Sequence, residues 1–232
     1  MRLEDSEEMG RLPLFAGVDP SRTEAMLKGS YLQRFPAHVE LAREGDLADF
    51  LHVVVDGQVE IYSAYQDRET TVSVLGAGSC FIVAAVVLDR VYLKSARALT
   101  SARILMIPAE TVRRYFGEDA AFARALATEL ALAYRNVVKE LKNQKLRSSL
   151  ERLANWLLAR DKETGARGRF ELPFEKRTLA ARLGMAPEVL SRSFAALGPY
   201  KVTVKGSEIR IGDPEALEQL AKSTPTIDDP LI

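Results

Sequence analysis

The spacing of apolar and polar residues along the chain changes period twice, and each change marks a boundary. From about Tyr31 to Pro108 the runs VELAREGD, FLHVVVDGQVEIYSAY, TTVSVLGAGSCF and SARALTSARILMIP are rich in β-branched residues. Gly45, Gly57, Gly76 and Gly78 fall between these runs, where they allow tight turns. Many short strands with regular turns predict an antiparallel barrel or jelly roll. Before this region, Met1 to Lys28 reads as short helical segments, with Asp19, Pro20 and Ser21 as a turn and helix start.

After Pro108 the period is helical. Ala109 to Phe116 predicts a short helix, and Asp119 to about Lys145 a much longer one. In the long segment Leu126, Leu130, Ala133, Val137 and Leu141 recur every three or four residues, close to the spacing of a coiled-coil seam. A helix of about seven turns outreaches a small barrel, so the seam is expected to pair with a second copy of the chain. The alternative is that it packs on its own barrel.

Leu150 to Asp161 predicts a further helix, and Lys162 to Arg169 a loop of glycine and charge. The stretch KRTLAARLGMAPEVLSRSFAAL, Lys176 to Leu197, then reads as two short helices around a sharp turn. Leu179, Ala180 and Leu183 give the first an apolar face, and Gly184 lies where the chain needs a left-handed residue. Pro187 suits the first position of the second helix. Leu190, Phe194 and Leu197 share one face, which leaves Glu188, Ser191 and Arg192 pointing outward near the N-terminal end. Val202 to Ile211 predicts a hairpin turning at Gly206, the wing of a winged helix. Asp213 and Pro214 start a last short helix, and the tail after Lys222 is expected to be poorly ordered.

The outward residues have the chemistry to read base edges. Arginine donates twice to guanine, glutamate accepts from cytosine N4, and serine serves several bases. Lys176, Arg177, Lys201, Lys205 and Arg210 are the candidate phosphate contacts. The bland alternative is a helical hairpin with a solvated charged face. Net charge is zero over 232 residues, but from Lys139 to Arg210 basic residues outnumber acidic ones about two to one. That asymmetry fits a basic C-terminal module on a more neutral partner domain.

Composition narrows the class further. Apolar content of 47% and charged content of 28% belong to a globular chain. No apolar run approaches the roughly 20 residues of a membrane helix. The acidic N-terminus MRLEDSEEMGRL does not read as a signal peptide, so a cytoplasmic protein is expected. With a single cysteine, Cys80, no intrachain disulfide is available. Two histidines far apart, one cysteine and no phosphate loop leave little from which to build a catalytic centre, so an enzyme is not expected.

The barrel, long helix and winged helix-turn-helix in this order resemble the CRP/FNR superfamily of bacterial transcription regulators. The resemblance rests on EGD at Glu44 to Asp46, the hairpin VVVDGQVEIY, LGAG before Cys80 and Phe81, and GMAPEVLSR. It implies an α+β chain: an effector-sensing β-barrel domain over 1–118, a dimerisation helix over 119–147, and a winged helix-turn-helix over 148–232. It further implies a homodimer on palindromic double-stranded DNA that recruits RNA polymerase. Glu188, Ser191 and Arg192 match the E-x-x-S-R pattern of the FNR-like branch, and Pro187 replaces the arginine of cyclic-AMP-dependent members. A TTGA-type half-site is therefore expected. The stretches RLPLF, YLQRFP and KNQKLR also resemble FtrB-type activators, a branch that implies no known effector.

The resemblance also bears on what the barrel detects. Members that bind cyclic AMP carry Gly-Glu, with Arg-Ser/Thr-Ala ten residues after the glutamate. Here Val83 and Ala84 stand at the first pair, and Lys94, Ser95 and Ala96 at the second. Loss of the ribose acceptor and of the glycine argues against cyclic AMP. Three readings remain, in descending order. A small non-nucleotide ligand could meet Lys94, Ser95 and an apolar wall. Haem could be held by His38, His52 or Cys80 in a gas sensor. Cys80 could be a thiol redox switch. For His52 a structural role is favoured over ligation, and for Cys80 an inert buried thiol. A dimeric ligand-binding protein without a regulatory role is the remaining rival, and it leaves the basic module unexplained.

Overall fold

The computed structural model describes residues 3–66 and 68–229, and the chain divides into two compact units, Met1–Tyr134 and Arg135–Ile232. The first unit opens with α1 (Leu3–Gly10) and α2 (Pro20–Lys28). The Asp19 carboxylate caps α2 by accepting from the Ser21 amide at 2.9 Å. There follow β1 (Tyr31–Phe35), β2 (Glu40–Ala42), β3 (Phe50–Asp56), β4 (Val59–Tyr65), β5 (Arg68–Leu75) and β6 (Cys80–Phe81). A short helix α3 (Val83–Leu88) separates these from β7 (Ser95–Ala98) and β8 (Ala102–Pro108).

Among the described residues these strands make two four-stranded antiparallel sheets, in the orders β1-β8-β3-β6 and β2-β7-β4-β5. The expected jelly-roll arrangement is present. Strand alternation explains its core: Val59 and Ile61 of β4 pair with Ala98 and Ala96 of β7, and all four are buried. The connection from β3 to β4, which passes from one sheet to the other, turns at Gly57, which takes a φ of +84°. A Cβ there would stand 2.4 Å from the Ser101 carbonyl oxygen, so the close strand approach requires glycine.

Two helices leave the barrel, α4 (Ala109–Glu118) and α5 (Ala120–Leu146). Asp119 caps α5, accepting from the amides of Ala121 and Phe122 at 3.0 and 2.9 Å. Phe122 stacks on Phe15, with ring centroids 6.3 Å apart. Leu126 is 0% exposed and Leu130 packs partly buried beside the same core. This corrects the expectation for Leu126, whose side chain is consumed by its own unit and has no surface to offer a second copy. Ala133 to Val138 are exposed, Val137 at 58%, and so is Leu141 at 53%. Tyr134 and Val138, absent from the expected seam, are exposed with them.

The second unit holds the end of α5, then α6 (Ser149–Thr164), β9 (Arg169–Glu171), α7 (Lys176–Arg182), α8 (Pro187–Ala196), β10 (Val202–Lys205) and β11 (Glu208–Ile211). It closes with α9 (Pro214–Ala221) and α10 (Pro225–Asp228). The helix α6 begins in a reciprocal cap: Ser148 Oγ accepts from the Glu151 amide, while the Glu151 carboxylate accepts from the Ser148 amide. It runs to Thr164, three residues past the expected end. Strands β10, β11 and β9 form a small antiparallel sheet in that order. Leu153, Leu157, Leu179, Leu190, Ile209 and Leu217 meet in the core. Over residues 223–229 the tail departs from expectation as well: it carries α10, whose Thr226 accepts from Lys142 of α5 and whose Asp228 pairs with Arg147 just past that helix. Residues 230–232 lie outside the described residues.

Candidate nucleic-acid interface

The turn between α7 and α8 sets the direction of α8. Gly184 takes a φ of +60°, and its amide donates to Ala181 while the Met185 amide donates to Ala180. A Cβ on Gly184 would also stand 2.7 Å from Gln144 Oε1 of α5. Pro187 then opens α8 at its first turn, where no amide donor is needed. Leu190, Ser193 and Leu197 are buried, and Glu188, Ser191 and Arg192 are exposed on the other side.

The side chains of Glu188, Arg192, Lys176, Arg177 and Lys205 are all exposed. No hydrogen bond or ion pair occupies them among the described residues. A shallow cavity of about 400 Å³ brings Lys176 and Arg177 of α7 together with Ser191 and Phe194 of α8 and Val202 and Val204 of the wing. Two cations thus share one concavity with apolar side chains and with Ser191 of α8. An anionic backbone running along such a groove would be held by its charge while its neighbouring bases meet Ser191 and Arg192.

The wing cations are not equivalent. Lys205 is free in the sense just given. Lys201, in a left-handed conformation, is paired with Asp213 at 3.2 Å, and Arg210 is paired with Glu208 at 2.5 Å. A phosphate would have to compete with these carboxylates. Sequence reasoning also passed over Arg152, which is buried and donates to the Leu183 and Gly184 carbonyls of the turn. Its position in the first turn of an amphipathic helix gives no local sign of that role.

The candidate effector residues lie in the first unit. Val83 and Ala84 begin α3, Val83 buried and Ala84 exposed, and neither side chain carries a hydrogen-bond acceptor. The turn into α3 is strained, since Ile82 takes a φ of +62°, a costly conformation for a β-branched residue. Ser95 is buried and its Oγ accepts from the Glu44 amide at 3.0 Å, which docks the EGD turn on β7. Lys94 beside it is half-buried, burial pulls its pKa down, and its ammonium has no hydrogen-bond or ion-pair partner among the described residues.

Neither histidine is placed as a ready metal ligand. His52 is 3% exposed and stacked on Phe81 at 4.9 Å, with Nδ1 unpartnered, and burial lowers its pKa to about 4. His38 is exposed in a turn at φ +69°. The described residues hold no cluster of three or more His, Cys, Asp or Glu side chains suited to a metal ion. Burial, and secondarily the charge of Glu129, pushes the Cys80 thiol up to about 12. The sequence also gave no sign of the buried Glu60, 2% exposed. It accepts from Arg97 Nε at 2.7 Å, and Arg97 in turn pairs with Glu69 at 2.7 Å and lies over the Tyr62 ring at 4.3 Å.

Comparison with known proteins agrees with both units. Residues 32–125 match the family model described as a cyclic nucleotide-binding domain, and residues 151–220 the one described as a Crp-like helix-turn-helix domain. The cyclic AMP receptor protein of Thermus thermophilus is 27% identical over 213 residues, covering 90% of this chain and 96% of that protein. The CRP-like cAMP-activated global transcriptional regulator of Mycobacterium tuberculosis is 22% identical over 222 residues, 93% of this chain and 99% of that one. The structure of FixK2 from Bradyrhizobium japonicum shares the fold, with a TM-score of 0.72 at 21% identity over 84% of this chain and 98% of that one.

Proposed function

This chain belongs to the CRP/FNR superfamily of DNA-binding transcription regulators, and from that premise we propose that it binds a palindromic TTGA-type site as a homodimer, in response to a signal other than cyclic AMP. The observation that carries the reading is the unengaged edge of α8. Glu188, Ser191 and Arg192 are all exposed, and Ser191 shares a concavity with Lys176 and Arg177. Unpaired charged groups gathered on one helix end are poised for bases and phosphates. The dimer is supported by the apolar positions Val137 and Leu141, with Leu130 at the margin, on a helix that runs past the barrel core. RNA polymerase is the further partner that membership implies.

Cyclic AMP is not the proposed ligand. Ala84 has no carboxylate, and the Val83 side chain replaces the glycine expected there. A small anion is the better match, because the half-buried Lys94 ammonium has no hydrogen-bond or ion-pair partner among the described residues. A haem-bound form would need His52, which is committed to aromatic stacking in the barrel, the exposed His38, or Cys80, whose thiol is held protonated, so the residues present do not fit haem well.

Base-by-base substitution in a TTGAT palindrome tests the DNA reading. Arg192→Ala is expected to cost about 1–3 kcal/mol and to relax specificity at one base pair. A uniform loss at every position would contradict the role given to Arg192. Native mass spectrometry and an absorption spectrum of freshly purified protein test the effector reading. A bound anion or none at all is expected; a haem absorption band would overturn it.

A further inference from the structure

The C-terminal segment has no part in the reading above, yet its contacts lead to the turn in front of α8. Ser223 donates to Asn155 Oδ1 at 2.7 Å, and Thr226 Oγ1 accepts from Lys142 Nζ at 2.9 Å. The main-chain oxygen of Asp229 accepts from Lys139 Nζ at 2.5 Å. Between these points Asp228 grips Arg147 with both oxygens, at 2.7 and 2.5 Å, and the Arg147 side chain is only 6% exposed. The same carboxylate accepts from the Thr224 amide at 2.6 Å, so α10 is held in shape by the residue that makes the grip.

The next link starts from Arg147. Its main-chain carbonyl accepts from Arg152 Nη1 at 2.8 Å. Arg152 then directs Nε to the Leu183 carbonyl at 2.9 Å and Nη2 to the Gly184 carbonyl at 3.4 Å. Those carbonyls follow the end of α7 and have no amide of a later helical turn to accept from. A guanidinium is a rigid planar fork, so fixing one edge on Arg147 fixes where the turn carbonyls must lie. Every residue in this path belongs to the second unit.

We propose that Arg152 is a positioning residue for the DNA-reading helix and that residues 223–229 are the strap that holds it in place. The direction in which α8 leaves its turn is thereby set in part from the far end of the chain. The inference rests on α8 being the reading helix. A merely stabilising tail would have no reason to change how the chain discriminates between DNA sequences.

The test compares the full chain with Asp228→Asn and Arg152→Met. Hydrogen exchange over residues 183–190 is measured together with affinity for a TTGAT palindrome and for scrambled DNA of the same length. Asp228→Asn is expected to melt cooperatively, to exchange faster over 183–190, and to lose about tenfold in the ratio of specific to scrambled binding. Arg152→Met is expected to lose more on both readouts, and should it fail to fold, Asp228→Asn alone decides. Unchanged exchange over 183–190 overturns the strap, as does an equal loss of affinity for both DNAs. If the unaltered chain does not discriminate, the DNA reading falls, and the exchange result still decides the strap.

Discussion

Glu129, on α5, stands near enough to Cys80, on β6, for its charge to add to burial in raising the thiol. With the thiol pushed up to about 12, chiefly by burial, almost none of it is thiolate at neutral pH. A disulfide reagent is therefore expected to modify native Cys80 far more slowly than the same residue in denaturant. Rapid stoichiometric labelling of the folded protein at pH 7 would revive the redox reading.

His52 makes folding stability depend on acid. Its folded pKa of about 4 lies below the ordinary 6.5, so the unfolded chain takes the proton first as pH falls. Stability from this group is complete above about pH 6.5, declines on the order of 1.4 kcal/mol per pH unit down to about pH 4, and is then flat. His52→Phe is expected to remove one proton's worth of slope in denaturant titrations between these limits. An identical slope in the variant would show that His52 is not the group responsible.

The correction on α5 separates two residues once assigned to one seam. Leu126→Ala empties a fully buried position and is expected to cost about 2–5 kcal/mol in stability with the dimer intact. Val137→Glu, at an exposed position, is expected to leave the fold stable and to dissociate the dimer. Denaturant unfolding and light scattering check the pair. Dissociation by Leu126→Ala alone, in a protein that stays folded, would reverse the assignment.

The cap of α6 is a second acid-sensitive element. Hydrogen bonds from the Ser148 amide, Lys222 and the Ser148 hydroxyl hold Glu151 down to about 2. Its contribution is complete above about pH 4.5 and fades as pH drops toward 2. Ser148→Ala is expected to cost about 1 kcal/mol at pH 7. A smaller difference between the two proteins at pH 2 than at pH 7 would follow; a constant difference would not.

Much of this was legible in the sequence because it is local and periodic. The β-branched runs, the glycine before α8 and the outward triad Glu188, Ser191 and Arg192 all announce themselves within a few neighbours. What was hidden depends on distant partners. Glu60 lies between Val59 and Ile61 and reads as an outward, solvated acid, yet Arg97, 37 residues later, holds it nearly free of solvent. Leu126 and Val137 have the same helical spacing, and only the position of the barrel core tells them apart. The tail reads as disordered because its four-residue helix has no stability alone. Its fixing point is Arg147, 81 residues earlier than Asp228.

The central claim is that two copies of the exposed α8 edge read duplex DNA. Fluorescence anisotropy with a labelled TTGAT palindrome and a scrambled duplex, each over a range of salt concentrations, tests it most directly. The account predicts two chains per palindrome and affinity that falls steeply with salt, as expected when several phosphates are contacted. It also predicts a preference for the palindrome of at least about a thousandfold at physiological salt. Equal affinity for the two duplexes, or binding indifferent to salt, would contradict it.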